Sequence, residues 1–186
     1  MHISTKWLII EIVLLVIMTT VMSIYSYPLL FSYQWHRVLH ILGGVIFLGN
    51  IIVTGVWMLM GEHTKKPSVI FFGARAVNWA DVFFTAPGVI LVLLTGEVLA
   101  TQWGGFGKES WITAGLGLFV LSGVAWVGFL IRYQNALLKK SVDFVDSGSP
   151  SEDFRRILHK WYFWGIIATI SPLLSLILMV IKPKLW

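Results

Sequence analysis

The sequence predicts an all-α membrane protein, a polytopic bundle of five transmembrane helices that forms one domain over residues 1–186. Hydrophobic residues make up 57% of the chain and charged residues only 12%, whereas a soluble domain is typically about a quarter charged. The mean hydropathy is +0.81. Five apolar stretches approach the roughly 20 residues that a membrane-spanning helix needs, and tryptophans stand near their ends, as is typical of the membrane–water interface.

The five predicted helices cover approximately residues 7–25, 35–60, 76–99, 111–132 and 161–181. The first is expected to be an N-terminal helix beside a four-helix core. It is not predicted to be a signal peptide, because Glu11 interrupts its apolar stretch and no small-residue cleavage site follows. Residues 133–160 are predicted to form a loop, in which the polar run Asp146–Asp153 is typical of a flexible turn.

Lysine and arginine are distributed unevenly along the chain. Ten of the 14 lie at the N-terminus and after the second and fourth helices, and four lie on the other side. Because cytoplasmic loops carry the excess of positive charge, we predict a multi-pass protein of the bacterial inner membrane with its N-terminus in the cytoplasm and its C-terminus outside. Because the positive charge lies at helix ends, we expect the lipid bilayer as a partner and do not expect binding to nucleic acid. The absence of cysteine excludes disulfides and thiolate metal sites.

Two of the predicted helices carry stripes of small and polar residues at spacings of three and four. The second helix carries His36, His40, Gly43, Phe47, Asn50 and Thr54. The third carries Asn78, Asp81, Thr85, Gly88, Val92 and Thr95. Residues with this spacing share one helix face, and small or polar faces inside membranes usually form helix–helix contacts. We therefore expect both stripes to face the interior of the bundle.

Two carboxylic acids lie within predicted spans, Glu11 and Asp81. An ionisable residue at membrane depth is by default a hypothesis for a functional site. We predict Asp81 and Glu11 as candidate catalytic residues that carry protons. The alternative is a structural role, in which Arg75 or Arg132 at the membrane boundary neutralises Asp81.

A second group of candidate residues consists of His36, His40, Met18 and Met22, all predicted at similar depth in the outer half of the bundle. Imidazoles and thioethers are ligands for haem iron or for copper. Two histidines four residues apart project side by side, so they cannot bind opposite faces of one haem. A haem would take His40, whereas copper could take both histidines and a methionine. In the alternative interpretation, His36 is interfacial and His40 is a packing residue.

Three further residues complete this prediction. Gly43 and Gly44 follow His40 by one turn and are expected to admit the porphyrin ring. His63 lies near the predicted cytoplasmic boundary, where it either contacts solvent or binds a second cofactor.

Several motifs resemble a bacterial family of predicted integral membrane proteins of unknown function, over about residues 35 to 184. The motifs are Val38–Gly49, Ala80–Ile90, Leu94–Gly96, the helix start at Trp111 and the stretch Lys160–Phe163. That family is distantly similar to CopD-like copper-resistance membrane proteins and to small haem-binding membrane protoporphyrinogen oxidases. The resemblance implies haem binding by His40 and a loose correspondence of His63 to a histidine near the far end of the same helix.

Three functions follow as expectations. The first is a small b-type haem protein that transfers electrons between a quinol-type donor and another redox protein, as a component of a membrane oxidoreductase. The second is a copper-handling or transport protein that uses His36, His40, Met18 and Met22 as ligands. The third is a non-catalytic subunit of a larger membrane complex or a homo-oligomer. The sequence leaves open whether the chain is itself an enzyme.

Overall fold

A computed structural model describes residues 3–25, 31–147 and 150–186, and every regular element in these ranges is helical. The elements are α1 (Ile3–Tyr25), α2 (Tyr33–His63), α3 (Pro67–Ala80), π1 (Asp81–Thr85), α4 (Ala86–Thr101), α5 (Ser110–Ala125), π2 (Trp126–Leu130), α6 (Ile131–Ser147) and α7 (Glu152–Ile181). The segments α3, π1 and α4 form one continuous helix, as do α5, π2 and α6. Within the described ranges, five helices are long and apolar enough to cross a membrane, which confirms the predicted all-α fold.

The predicted loop at 133–160 is wrong over most of its length. Helix α6 continues to Ser147, and α7 already begins at Glu152. Beyond the apolar span, α6 is amphipathic and buries Leu137 and Leu138. Hydropathy detects helices whose surface faces lipid. It did not detect the end of α6, because this part of the helix is polar on its outer side. Of the predicted flexible turn, residues 148 and 149 lie outside the described residues.

The five long helices pack in pairs. α2 lies along α4 and α5 along α7, while α3 and α6 meet at the predicted cytoplasmic end. The main apolar core lies there, formed by residues including Met58, Ile70, Val77, Leu130, Leu137, Phe154 and Leu158. Helix α1 packs on the α3–π1–α4 helix. Large apolar side chains on its other side are exposed, as expected of a helix that faces lipid.

The predicted stripe on α2 packs against the stripe that runs along α3, π1 and α4. A Cβ atom added to Gly43 would lie 2.9 Å from the carbonyl oxygen of Gly88, and one added to Gly88 would lie 2.9 Å from that of Gly43. The two backbones are therefore in direct contact at this point. Glycines allow this approach, which is a common means of association between membrane helices.

Proline 172 interrupts the hydrogen bonding of α7, and a neighbouring helix compensates for it. Pro172 has no N–H group, so the carbonyl of Ala168, four residues earlier, lacks its helical donor. The hydroxyl of Ser122 on α5 donates to this oxygen at 2.7 Å, in a buried contact. The proline thus provides an acceptor that fixes α7 against α5.

We expect Ser122→Ala to lower the free energy of unfolding by about 1–2 kcal/mol, because it leaves the Ala168 carbonyl without a donor inside the membrane. Denaturant titration in mixed micelles measures this change. In a Pro172→Ala background the helical N–H is restored, so the same serine substitution should then cost much less. An equal cost in both backgrounds would contradict this account.

Candidate functional site

Among the ionisable side chains of the described helices that form several hydrogen bonds, Asp81 is the most deeply buried. Its side chain is 3% exposed. The Thr85 hydroxyl donates to Oδ1 at 2.7 Å. Gln134 Nε2 donates to Oδ2 at 2.8 Å, and Trp126 Nε1 donates to the same oxygen at 3.3 Å. All three partners donate, so the arrangement is suited to a carboxylate that accepts.

A fourth residue connects this network to α2. Asn50 Nδ2 donates to the Thr85 hydroxyl oxygen at 2.8 Å and to the Ala80 carbonyl at 3.3 Å. Because Thr85 accepts from Asn50, its single hydroxyl proton is available for Asp81. The network therefore joins α2, π1, π2 and α6. Among the described residues Asp81 forms no ion pair, so the predicted neutralisation by Arg75 or Arg132, both exposed, is not observed.

The network is built on two widened helical turns. In π1 the Ala86 N–H bonds to the Asp81 carbonyl, and in π2 the Ile131 N–H bonds to the Trp126 carbonyl, both across five residues. Pro87 follows π1 and cannot donate to the preceding turn, which favours a local departure from α-helical bonding. Such turns are rare and occur frequently at functional sites. Here they bring Asp81 and Trp126 together.

A cavity of about 620 Å³ lies between α2 and α7 and reaches this network. Asp81, Thr85 and Gln134 are among its lining residues. Most of its wall is apolar and includes Phe47, Ile51, Val89, Phe119, Ile166 and Ile170. The size is within the roughly 300–1,000 Å³ typical of ligand pockets.

His40 is held in one orientation by α4. Its Nδ1 lies 3.0 Å from the Val92 carbonyl and 3.2 Å from the Thr95 hydroxyl oxygen. Thr95 donates its own proton to the Leu91 carbonyl, so both neighbours of Nδ1 are acceptors and Nδ1 carries the ring proton. Nε2 is then an unprotonated nitrogen that can bind a metal. A Cβ at Gly96 would lie 2.9 Å from His40 Cε1, so this glycine makes room for the ring.

The structure does not assemble the other predicted ligands around His40. His36 is 5% exposed. Its Nδ1 forms a hydrogen bond at the start of its own helix, 3.2 Å from the Ser32 carbonyl. Met18 is on an exposed side of α1, and that helix packs on the α3–π1–α4 helix. The side chain of Met22 lies outside the described part of the chain. The described residues hold no group of three or more His, Asp or Glu side chains suited to a metal ion.

The remaining predicted residues are dispersed. Gly43 contacts the backbone of Gly88, whereas the Cβ position of Gly44 faces open space. His63 is exposed and its Nδ1 lies 2.9 Å from the Leu59 carbonyl of its own helix. Glu11 is half-buried on α1 and its Oε2 is buried without a hydrogen-bond partner.

Sequence reasoning missed Gln134 and Trp126, the two residues outside the predicted stripes that donate to Asp81. Gln134 fell in the predicted loop, although Trp126, Leu130 and Gln134 follow one another at the spacing of one helix face. Continuation of this spacing past Arg132 is the signal that could have placed Gln134 inside the bundle.

Comparison with known proteins identifies the family of the chain but no closer relative. Neither a curated protein nor a solved structure matches this sequence. A family model described as a predicted integral membrane protein (DUF2269) matches residues 34–183, which comprise α2 to α7 and leave α1 outside. Since the match covers most of the sequence and agrees with the five spanning helices, the chain belongs to the DUF2269 family of predicted integral membrane proteins.

Proposed function

We propose that this protein binds a b-type haem through His40 Nε2 and takes part in electron transfer in the membrane. The observation that carries the proposal is the contact of His40 Nδ1 with the Val92 carbonyl at 3.0 Å. Histidines that bind metals almost always donate their other ring N–H to a carbonyl or carboxylate, which fixes the tautomer and orients the ring. His40 has this arrangement.

Residues of α4 hold the His40 ring in one orientation, as a histidine that binds haem iron would require. Thr95 and Gly96 on α4 position the imidazole, and Gly44 offers open space one turn further along α2. When bound, haem would supply reversible one-electron chemistry, and its potential would depend on the axial ligand and the polarity around it. The role of the chain is to orient the nitrogen.

We infer the remaining parts of this function from charge and composition. A quinol-type donor or another redox protein would exchange electrons with the cofactor. Asp81 and Glu11 remain candidates for proton transfer, supported by their position inside spans. The lysine and arginine distribution supports a bacterial inner membrane location with the N-terminus in the cytoplasm. A larger complex or a homo-oligomer would be compatible with the same site.

We expect the detergent-purified protein to show the sharp α band of b-type haem in a dithionite-reduced minus air-oxidised spectrum. His40→Ala should abolish the band, because it removes the nitrogen that would bind the haem iron. Thr95→Val removes only one acceptor from Nδ1 and should weaken haem retention. His63→Ala, on the exposed end of the same helix, serves as a matched control and should retain haem.

A wild-type protein without haem absorbance, or an unchanged spectrum in His40→Ala, would disprove the haem proposal. Metal analysis of the same samples then separates the other candidates. Copper that depends on His36 and His40 would support copper handling. Absence of both cofactors, with co-purifying proteins, would support an accessory subunit.

A further inference from the structure

We propose that Glu11 binds a proton and that this proton controls the docking of α1 on the rest of the bundle. With Glu11 neutral, α1 packs on the α3–π1–α4 helix, as in the structure. With Glu11 ionised, α1 separates from this helix and the carboxylate moves towards the membrane surface. Neither His36 nor His40 takes part, so this role of Glu11 is independent of the haem proposal.

Glu11 lies on the side of α1 that packs against the bundle. Thr5 and Leu8 are 4% and 0% exposed, and Glu11 follows Leu8 by three residues, which places both on one helix face. On the other side, Ile10 and Val13 are 48% and 51% exposed, as expected of residues that face lipid. The carboxyl group therefore lies at the contact between α1 and its neighbours.

The buried oxygen of this carboxyl group has no hydrogen-bond partner. Oε2 of Glu11 is buried and forms no hydrogen bond, whereas the oxygens of Asp81 accept from three donors. An ionised carboxylate without such donors is strongly unfavourable in apolar surroundings, and such a group binds a proton instead. The docked helix therefore requires the neutral acid.

The charged groups on the neighbouring helices do not compensate for an ionised Glu11. The cations of α3 and α6 that lie nearest the π turns are Arg75 and Arg132, which are exposed and form no ion pair among the described residues. Asp81 in π1 is turned towards donors on π2 and α6. Glu97 on α4 lies 16 residues beyond Asp81, or about 24 Å along the same helix. Asp81 and Glu97 are acids, so neither would stabilise a second negative charge.

Ionised Glu11 gains hydration when α1 leaves this position. Glu11 follows Ile3, the first residue of α1, by eight residues, so it lies about 12 Å from the predicted cytoplasmic end of the helix. A single helix in lipid can tilt, and the bilayer can thin locally, so that a charge at this depth reaches water. Ionisation therefore favours the separated helix, and a rise in pH shifts the equilibrium towards it.

The position of α1 bears on the Asp81 network because α1 contacts π1. This widened turn contains Asp81 and Thr85, two members of the network. α1 also lies outside residues 34–183, which match the family model. The proton on Glu11 would thus regulate how an additional helix covers the π turn of the common core.

The distance between two spin labels tests this proposal. The chain has no cysteine, so Lys6→Cys and Lys139→Cys would carry the only labels. Both lysines are exposed. Lys6 adjoins Thr5, Lys139 follows Asn135 by one turn, and the Thr5 hydroxyl donates to Asn135 Oδ1 at 2.6 Å, so the labels are close together in the docked protein.

Double electron–electron resonance is measured on the full-length protein in phosphatidylcholine nanodiscs across a series of pH values. We expect one short distance in acidic buffer and a second, longer distance that grows in population as the pH rises. Because one proton is released on separation, the ratio of docked to separated protein should fall about tenfold for each unit of pH through the transition.

Two variants assign the proton to its site. Glu11→Gln replaces the acid with a neutral side chain of the same size, so α1 should stay docked at every pH. Glu97→Gln makes the same chemical change on α4 and is the matched control. It should keep the pH response of the wild type.

A label distance that does not change with pH in the wild type would overturn the proposal. An unchanged pH response in Glu11→Gln would also overturn it, because the proton would then bind elsewhere. A Glu11→Gln protein with α1 separated in acidic buffer would do the same, since a neutral side chain would not suffice for docking. The label distance does not report on haem, so failure here and failure of the haem proposal are distinguishable.

Discussion

Replacing Asp81 with leucine is expected to lower the free energy of unfolding by about 2–5 kcal/mol. The substitution removes an acceptor from three donors, Thr85, Trp126 and Gln134. Hydrogen bonds between membrane helices contribute roughly 0.6–1.7 kcal/mol each, and a buried donor left unpaired adds a desolvation cost of about 1–3 kcal/mol. The loss should appear in denaturant titration in mixed micelles.

Further variants of this network separate the hydrogen bonds from a general packing defect. Asp81→Asn keeps one acceptor oxygen but turns an amide N–H₂ towards donors, so its cost should be intermediate. Adding Thr85→Val to Asp81→Leu removes one of the unpaired donors. The double variant should therefore be less destabilised than the two single effects combined. Additive effects, or a fully stable Asp81→Leu protein, would show that the network contributes little.

Gly43→Ala is the second substitution with a large expected effect. The new Cβ would lie 2.8 Å from Leu91 Cβ and 2.9 Å from the Gly88 carbonyl oxygen. Backbone atoms cannot move aside as a side chain can, so α2 and α4 must separate. We expect a loss of about 1–3 kcal/mol, as for other overpacked interiors, partly offset because alanine is favoured over glycine in a helix by roughly 0.5–1 kcal/mol.

Gly44→Ala is the matched control for this experiment. It is the adjacent residue, it makes the same chemical change, and nothing lies within 4 Å of its Cβ position. Its stability should be unchanged or slightly increased. If Gly43→Ala behaves in the same way, the close contact of α2 and α4 is not required. A destabilised Gly43→Ala should also lose haem, because separation of the helices moves Val92 and Thr95 away from His40.

The prediction that both polar stripes face the interior of the bundle was confirmed because its signal is local. Residues such as Gly43, Asn50, Thr85 and Gly88 repeat at helical spacing, and this spacing alone places them on one face of each helix. In the structure Gly43 meets Gly88, and Asn50 meets Thr85. Periodicity identified the helix faces. It could not show that Gly43 allows close helix packing rather than space for a porphyrin ring.

The grouping of His36 and His40 with Met18 was a prediction of depth, and depth does not determine which helices are neighbours. Position along a helix follows from residue number, since each residue advances the helix by a fixed rise. Rotation and adjacency depend on how all helices pack. Helix α1 packs on α3 and α4, with Met18 exposed, so similar depth did not bring these side chains into one described site.

The all-α membrane class and the polar helix faces follow from the sequence alone. These properties depend on hydrophobicity, length and spacing, which are local and additive along the chain. The hydrogen bonds of Gln134 and Trp126 to Asp81, the contact of Val92 with His40, and the cavity bordered by α2 and α7 follow only from the tertiary structure. Such features arise where residues distant in sequence meet or leave space unfilled, and this depends on the packing of all helices together.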